Sequence, residues 1–216
     1  MCGRYKLSAK NESVWAHFDI HGEMPFRFEP RYNIAPTQPI PVIRIPHVLE
    51  MIRWGLRLPN PKAGGINVRV ESLAAPMYRD AIRQHRCLIP ADGYYEWKVT
   101  SEPNAKKVIK QPFIVRRHDG ESFAVAGLWL EHVTPDGELI PAAAILTTVP
   151  HGPAAEVHDR MPLILPRDSE SAWLDPTSKY RDLLAPDWST LEIQAVPTLV
   201  NSPKNEGPEL IASVLS

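Results

Sequence analysis

Proline interrupts this chain throughout, at 23 of 216 residues, about twice its background share. Inside a helix each one would remove a hydrogen bond and clash with the preceding turn, which argues against a helix bundle or coiled coil. The run MPFRFEPRYNIAPTQPIP alone holds five prolines and reads as an extended, turn-rich loop. Proline and glycine together stay below the level of a disordered chain, and the length suffices to bury a core without disulfide staples.

Between the prolines lie short runs rich in β-branched and aromatic residues: PVIRI (41–45), LEMIRWGL (49–56), INVRVE (66–71), RCLI (86–89), YYEWKV (94–99), PFIVR (112–116), SFAVAGLWL (122–130), AAAILTTV (142–149), PLIL (162–165) and LEIQAV (191–196). Bounded by turn residues, these read as strands. Helical patterns are confined to a stretch opened by Ser8 that gathers Val14, Trp15 and Phe18 on one side, and to 76–85, 153–157, 168–174 and 178–184. Strands and helices do not alternate regularly. The expected fold is α+β, a single domain over 1–216 on a curved, mainly antiparallel or mixed, barrel-like sheet with short flanking helices. Segments 60–65 and 100–110 read as loops.

A formal net charge of −1 argues against a nucleic-acid binder when the chain is taken whole. The distribution says otherwise. Residues 1–117 carry 19 Lys and Arg against 10 Asp and Glu, whereas 118–216 carry 5 against 15, an asymmetry that hints at a surface facing a polyanion. Cys2 and Cys87 cannot form a disulfide framework and lack zinc-site spacing. No signal-peptide pattern opens the chain, and no apolar run reaches membrane-spanning length. The expectation is a soluble cytoplasmic protein, nucleoid-associated if bacterial, with no membrane partner and no metal.

Cys2 stands out chemically. With Met1 removed it would present an α-amine and a thiol on adjacent carbons, both with usable nucleophilic populations near neutrality. Amine and aldehyde give a Schiff base, and the thiolate can close on it as a five-membered thiazolidine. Position alone favours an ungoverned terminal residue. In GYYEWKV, alternation sets Tyr94, Glu96 and Lys98 on one face; Glu96 is then either part of a solvated face or a desolvated proton shuttle. INVRVE similarly places Asn67, Arg69 and Glu71 together, as an exposed strand face or as an amide and a phosphate-binding cation. His158 in HDRMP is a surface residue or a general acid or base, with Arg160 two residues on. Trp54, Trp97 and Met77 are core residues or a surface for unpaired bases. His17 and His21 have helical metal-pair spacing but no third ligand, and Cys87 reads as buried and inert.

The set and order of MCGRY, RYNIAPTQ, RWGL, INVRVES, RCLIPADGYYEWK, QPFIV, AGLW, ILTT, HDRMP and NEGPELI resembles the SOS-response-associated peptidase (SRAP) family over residues 2 to about 211. The resemblance implies a protein that binds single-stranded DNA containing an abasic site and traps the sugar aldehyde through Cys2 as a thiazolidine, with self-removal of Met1. It implies Cys2 as nucleophile, Asn67 orienting the N-terminus, Glu96 in ring opening and proton transfer, and His158 as the other acid or base. Arg4, Arg69 and Arg160 would meet phosphates, and Pro36, Trp54, Met77, Trp97 and Thr147 would complete the DNA contacts. No cofactor is implied, and a monomer is expected. One departure is that WGLRLPNPKAGG lacks the further Trp that many relatives carry, a role to which arginines such as Arg57 could contribute.

Two other readings compete. Class II glutamine amidotransferases also begin Met-Cys-Gly, but their Asn-Gly oxyanion motif is missing from this sequence. A noncovalent reader of damaged or modified DNA fits the charge split and aromatics equally well, and Cys2 separates it from the covalent reading.

Overall fold

Short strands with alternating apolar positions close on themselves to bury their inner faces. The computed structural model describes residues 2–20, 27–56, 65–101, 108–133 and 137–214. The strands among the described residues are β1 (Tyr5–Leu7), β2 (Arg31–Ile34), β3 (Pro39–Arg44), β4 (Val48–Trp54), β5 (Asn67–Arg69), β6 (Arg86–Ala91), β7 (Gly93–Val99), β8 (Lys110–Arg117), β9 (Phe123–Val133), β10 (Leu139–Thr148), β11 (Met161–Pro162) and β12 (Leu191–Ala195). Three short helices accompany them: α1 (Asn11–His17), α2 (Ala81–Gln84) and α3 (Glu170–Leu174).

Strands β4, β3, β6, β9 and β10 pair antiparallel in that order. The ring closes where β10 returns to β4 in parallel through Ala142↔Arg53 and Ala143↔Trp54. β5 runs parallel to the end of β10, and β11 pairs antiparallel beyond it. A second sheet, β12-β8-β7-β1-β2, is antiparallel throughout. The architecture is thus the α+β, barrel-like one that the sequence predicts.

The ring is tight. Ala142, Ala143 and Ala144 are fully buried on β10. A Cβ on Gly127 of β9 would stand 2.9 Å from Cys87 Sγ and from Ile89 Cδ1, so any side chain there would force its neighbours to shift. Cys87 is buried, as expected.

The strand runs read from sequence all contain β structure, but β1 and β2 were not expected. β2 occupies the proline-rich run, in four of the five residues that separate Pro30 from Pro36. INVRVE stays extended only over β5 and then tightens into the 3-10 turn Val70–Ser72. The expected helices are short as well: 153–157 overlaps the 3-10 turn Gly152–Glu156, 178–184 contains the turn Tyr180–Leu183, and 76–85 divides into the turn Pro76–Tyr78 and α2. The 60–65 loop up to Gly65, the centre of the 100–110 loop, Arg57 and His21 lie outside the described residues. No helix among the described residues is long and apolar enough to cross a membrane.

Candidate active site

Cys2 lies just ahead of β1, with its side chain fully buried. β1 is flanked by β7 through Tyr5↔Tyr94, which brings the start of the chain alongside the strand carrying Glu96. From the other sheet, Asn67 at the start of β5 donates from Nδ2 to the Cys2 carbonyl at 2.8 Å. The Cys2 thiol is 3.8 Å from the Arg4 carbonyl. Burial pushes the thiol well above its ordinary range, and the nearby Glu96 carboxylate pushes it further.

Glu96 is 3% exposed. The alternation that groups it with Tyr94 and Lys98 is real, but the face is not uniform: Tyr94 and Glu96 are buried while Lys98 is exposed. Burial raises the Glu96 carboxyl to about 7, and the charge of Asp159 adds to that rise. His158 Nε2 stands 3.8 Å from Glu96 Oε2. Its Nδ1 accepts the Arg160 backbone N–H at 3.0 Å and lies 2.7 Å from Asp159 Oδ1. Burial lowers the imidazole pKa, which keeps it neutral at neutral pH and able to take a proton. The structure therefore gathers Cys2, Asn67, Glu96 and His158 from four segments of the chain.

Around them several polar atoms are buried with no hydrogen-bond partner: Asn67 Oδ1, Thr147 Oγ1 and the Tyr94 hydroxyl. Unpaired buried polar groups are costly. Among the described residues no group of three or more His, Cys, Asp or Glu has a metal-binding arrangement.

The expected DNA contacts divide. Arg4 is fixed by Nη1 donating to Asn33 Oδ1 and to the Val200 carbonyl, both at 2.7 Å, and its guanidinium lies 5.7 Å from the centre of the Trp97 ring. The Trp97 indole N–H in turn donates to Asn201 Oδ1 at 2.6 Å. These two side chains, with Val108, Lys110 and Asn201, line an open cavity of about 460 Å³. Arg69 and Met77 are exposed and Pro36 is half-buried. Thr147 is fully buried, in register with Arg69. Arg160 is nearly buried and its guanidinium is engaged by Glu71 and the Thr147 carbonyl.

Trp54 corrects an expectation. Its ring has no solvent exposure, packs edge-on against Tyr5 and donates its N–H to the Ile66 carbonyl. It is core, as most tryptophans at an alternating strand position are, and offers no face to a base.

A family model described as SOS response associated peptidase (SRAP) matches residues 1–203. The chain belongs to the SRAP family. Among SRAP relatives, the abasic site processing protein YoqW of Bacillus subtilis is 38% identical, the match covering 99% of this chain and all of that protein. The abasic site processing protein YedK of Escherichia coli is 31% identical over 99% of this chain and 100% of its own. A solved structure of a protein from Bacteroides thetaiotaomicron shares the fold, with a TM-score of 0.82 over 99% of this chain and all of that one, at 22% identity. The supports of the SRAP site were less legible than its reactive groups. Asn33 and Asn201, which hold Arg4 and Trp97, were not singled out, although Asn33 lies inside the RYNIAPTQ motif.

Proposed function

We propose that this protein binds single-stranded DNA containing an abasic site and traps the ring-opened sugar as a covalent thiazolidine on Cys2. The observation that carries this reading is the grip of Asn67 on Cys2 beside a buried carboxyl poised at about 7. The abasic-site processing named in the relatives from Bacillus subtilis and Escherichia coli supports it.

The sequence of steps begins with hydrolysis of the Met1–Cys2 peptide bond, a self-processing reaction that frees the Cys2 amine. The unpaired Asn67 Oδ1 is then an acceptor for that amine. Glu96, populated in both forms near neutrality, donates a proton to the sugar ring oxygen while the anomeric hydroxyl gives its proton to His158, and the ring opens to the aldehyde. The amine adds to the aldehyde carbon, and loss of one water leaves an imine. The Cys2 thiol gives its proton to Glu96 or His158, its sulfur bonds to the imine carbon, and the ring nitrogen takes up a proton. Aminothiol and aldehyde thus yield thiazolidine and water, with no cofactor. Running these steps backwards gives slow release.

Arg4 and Arg69 meet the flanking phosphates, and Trp97, Met77 and Pro36 touch splayed bases. The protein acts as a monomer in the cytoplasm. Incubation with an abasic single-stranded oligonucleotide gives an adduct stable to heat and SDS, absent with intact DNA and lost in Cys2→Ala. An adduct that survives Cys2→Ala, or that needs an added reductant, overturns the thiazolidine. Undiminished noncovalent binding without any adduct leaves a damage-reading module instead.

A further inference from the structure

Asn33, on the short strand β2, has no solvent exposure, so its amide must find every partner inside the fold. It finds them in two places. Its Oδ1 accepts from Arg4 Nη1 at 2.7 Å. Its Nδ2 donates to the carbonyls of Ser202 and Asn205, both at 2.9 Å, and more distantly to that of Val200 at 3.4 Å. One side chain thereby joins the start of the chain to a stretch near its far end. The Tyr32 backbone N–H donates to Glu206 Oε2 at 2.8 Å, so β2 grips residues 200–206 from two neighbouring positions. An amide suits this place because it accepts at one end and donates at the other; aspartate would turn an oxygen toward three carbonyls.

The stretch that Asn33 grips also holds Arg4 directly. The 3-10 turn Thr198–Asn201 offers the Val200 carbonyl to Arg4 Nη1 at 2.7 Å. Arg4 thus spends Nη1 on two fixed acceptors, while its Nη2 makes no hydrogen bond among the described residues. Both acceptors are neutral, so the anchors do not cancel the charge of the cation. A guanidinium is planar and rigid, and fixing one arm of the fork fixes where the other points. Arg4 lines the open cavity that Trp97 and Lys110 share, so a phosphate entering there meets a donor whose direction is already set.

We propose that Asn33 is a positioning residue for DNA binding: by clamping Arg4 and residues 200–205 at once, it aims the free arm of Arg4 at a phosphate in this cavity. The proposal rests on the DNA-binding part of the reading above and not on the thiazolidine. It deepens that reading by naming what sets the direction of the cation.

The test is a double-mutant cycle on noncovalent affinity for a single strand carrying a tetrahydrofuran, which has no aldehyde, read over a series of salt concentrations. Asn33→Leu and Arg4→Ala are each expected to weaken binding about tenfold and to lower the salt slope by about one. Combined, they are expected to weaken it by about ten- to twentyfold, not by the roughly hundredfold of independent sites. A full hundredfold loss would make Asn33 a scaffold residue that acts on the surface at large, and overturns the proposal. So does an Asn33→Leu variant that keeps the wild-type affinity and slope. If Asn33→Leu does not fold, Arg4→Lys is read in the same assay, because an ammonium keeps the charge but has no rigid second arm. Binding several times weaker than wild type then supports the clamp, and wild-type affinity sinks it. A wild-type protein that does not bind the tetrahydrofuran strand defeats the DNA reading itself, whereas a wild type that binds beside an indifferent Asn33→Leu defeats only the positioning role.

Discussion

Two buried carboxyls four residues apart, Asp92 and Glu96, are treated in opposite ways. Asp92 accepts from Lys6 Nζ at 2.6 Å, from the backbone N–H groups of Ser8 and Ala9 at 2.8 and 2.7 Å, and from the Ser8 hydroxyl at 3.1 Å. Every donor comes from the segment that carries the chain away from Cys2. Glu96 has instead a histidine at 3.8 Å and a proton affinity set chiefly by burial. Surrounding a carboxylate with donors makes it a tie; withholding water raises its affinity for a proton toward neutrality. The same strand and turn thus hold two carboxyls in opposite surroundings.

The largest expected effect falls on the tie. Asp92→Ala leaves Lys6 buried without its counter-charge and orphans two backbone donors, so we expect about 3–5 kcal/mol of lost stability in urea unfolding. A loss below about 1 kcal/mol, as for an exposed ion pair, would erase the distinction between the two carboxyls.

Glu96→Gln should move the other way. Between the ordinary carboxyl value of 4.5 and about 7, the folded chain holds a proton that the unfolded chain has released. Wild-type stability therefore falls as pH rises through that window and levels off above it. The variant escapes this loss, so its advantage grows across the window to on the order of 3 kcal/mol. Melting curves at a series of pH values check the sign, and a constant difference would refute it. In the same variant, adduct formation should slow by about a hundredfold, as for loss of a general acid or base, with noncovalent binding little changed. Equal losses in rate and affinity would make Glu96 a second tie.

The smallest effect concerns neither carboxyl. Arg69→Ala should reduce the salt slope of DNA binding by about one and leave stability unaltered. An unaltered slope would remove Arg69 from the phosphate path.

What could be read from the sequence follows the same division. Alternation and turn residues announced the ring strands, because those strands are long enough to show a period of two. β1 and β2, of three and four residues, are too short to show it, and β2 sits among prolines. Cys2, Asn67, Glu96 and His158 were nameable from their motifs, but not the burial of Glu96, which depends on segments remote in the chain such as the one carrying His158. Trp54 misled because an aromatic looks alike in a motif and in a core. The Glu71–Arg160 fork spans 89 residues, and no local pattern encodes a pairing at that distance.

Closure of the ring by the short parallel pairing of β10 with β4 bears on when the surroundings of Cys2 are assembled during synthesis. That pairing joins residues 53–54 to 142–143, and such distant contacts form late because the intervening loop must first be ordered. β5, which presents Asn67, docks on β10 as well, and His158 is made later still. A chain emerging from the ribosome therefore carries Cys2 long before the groups that surround it in the fold are made.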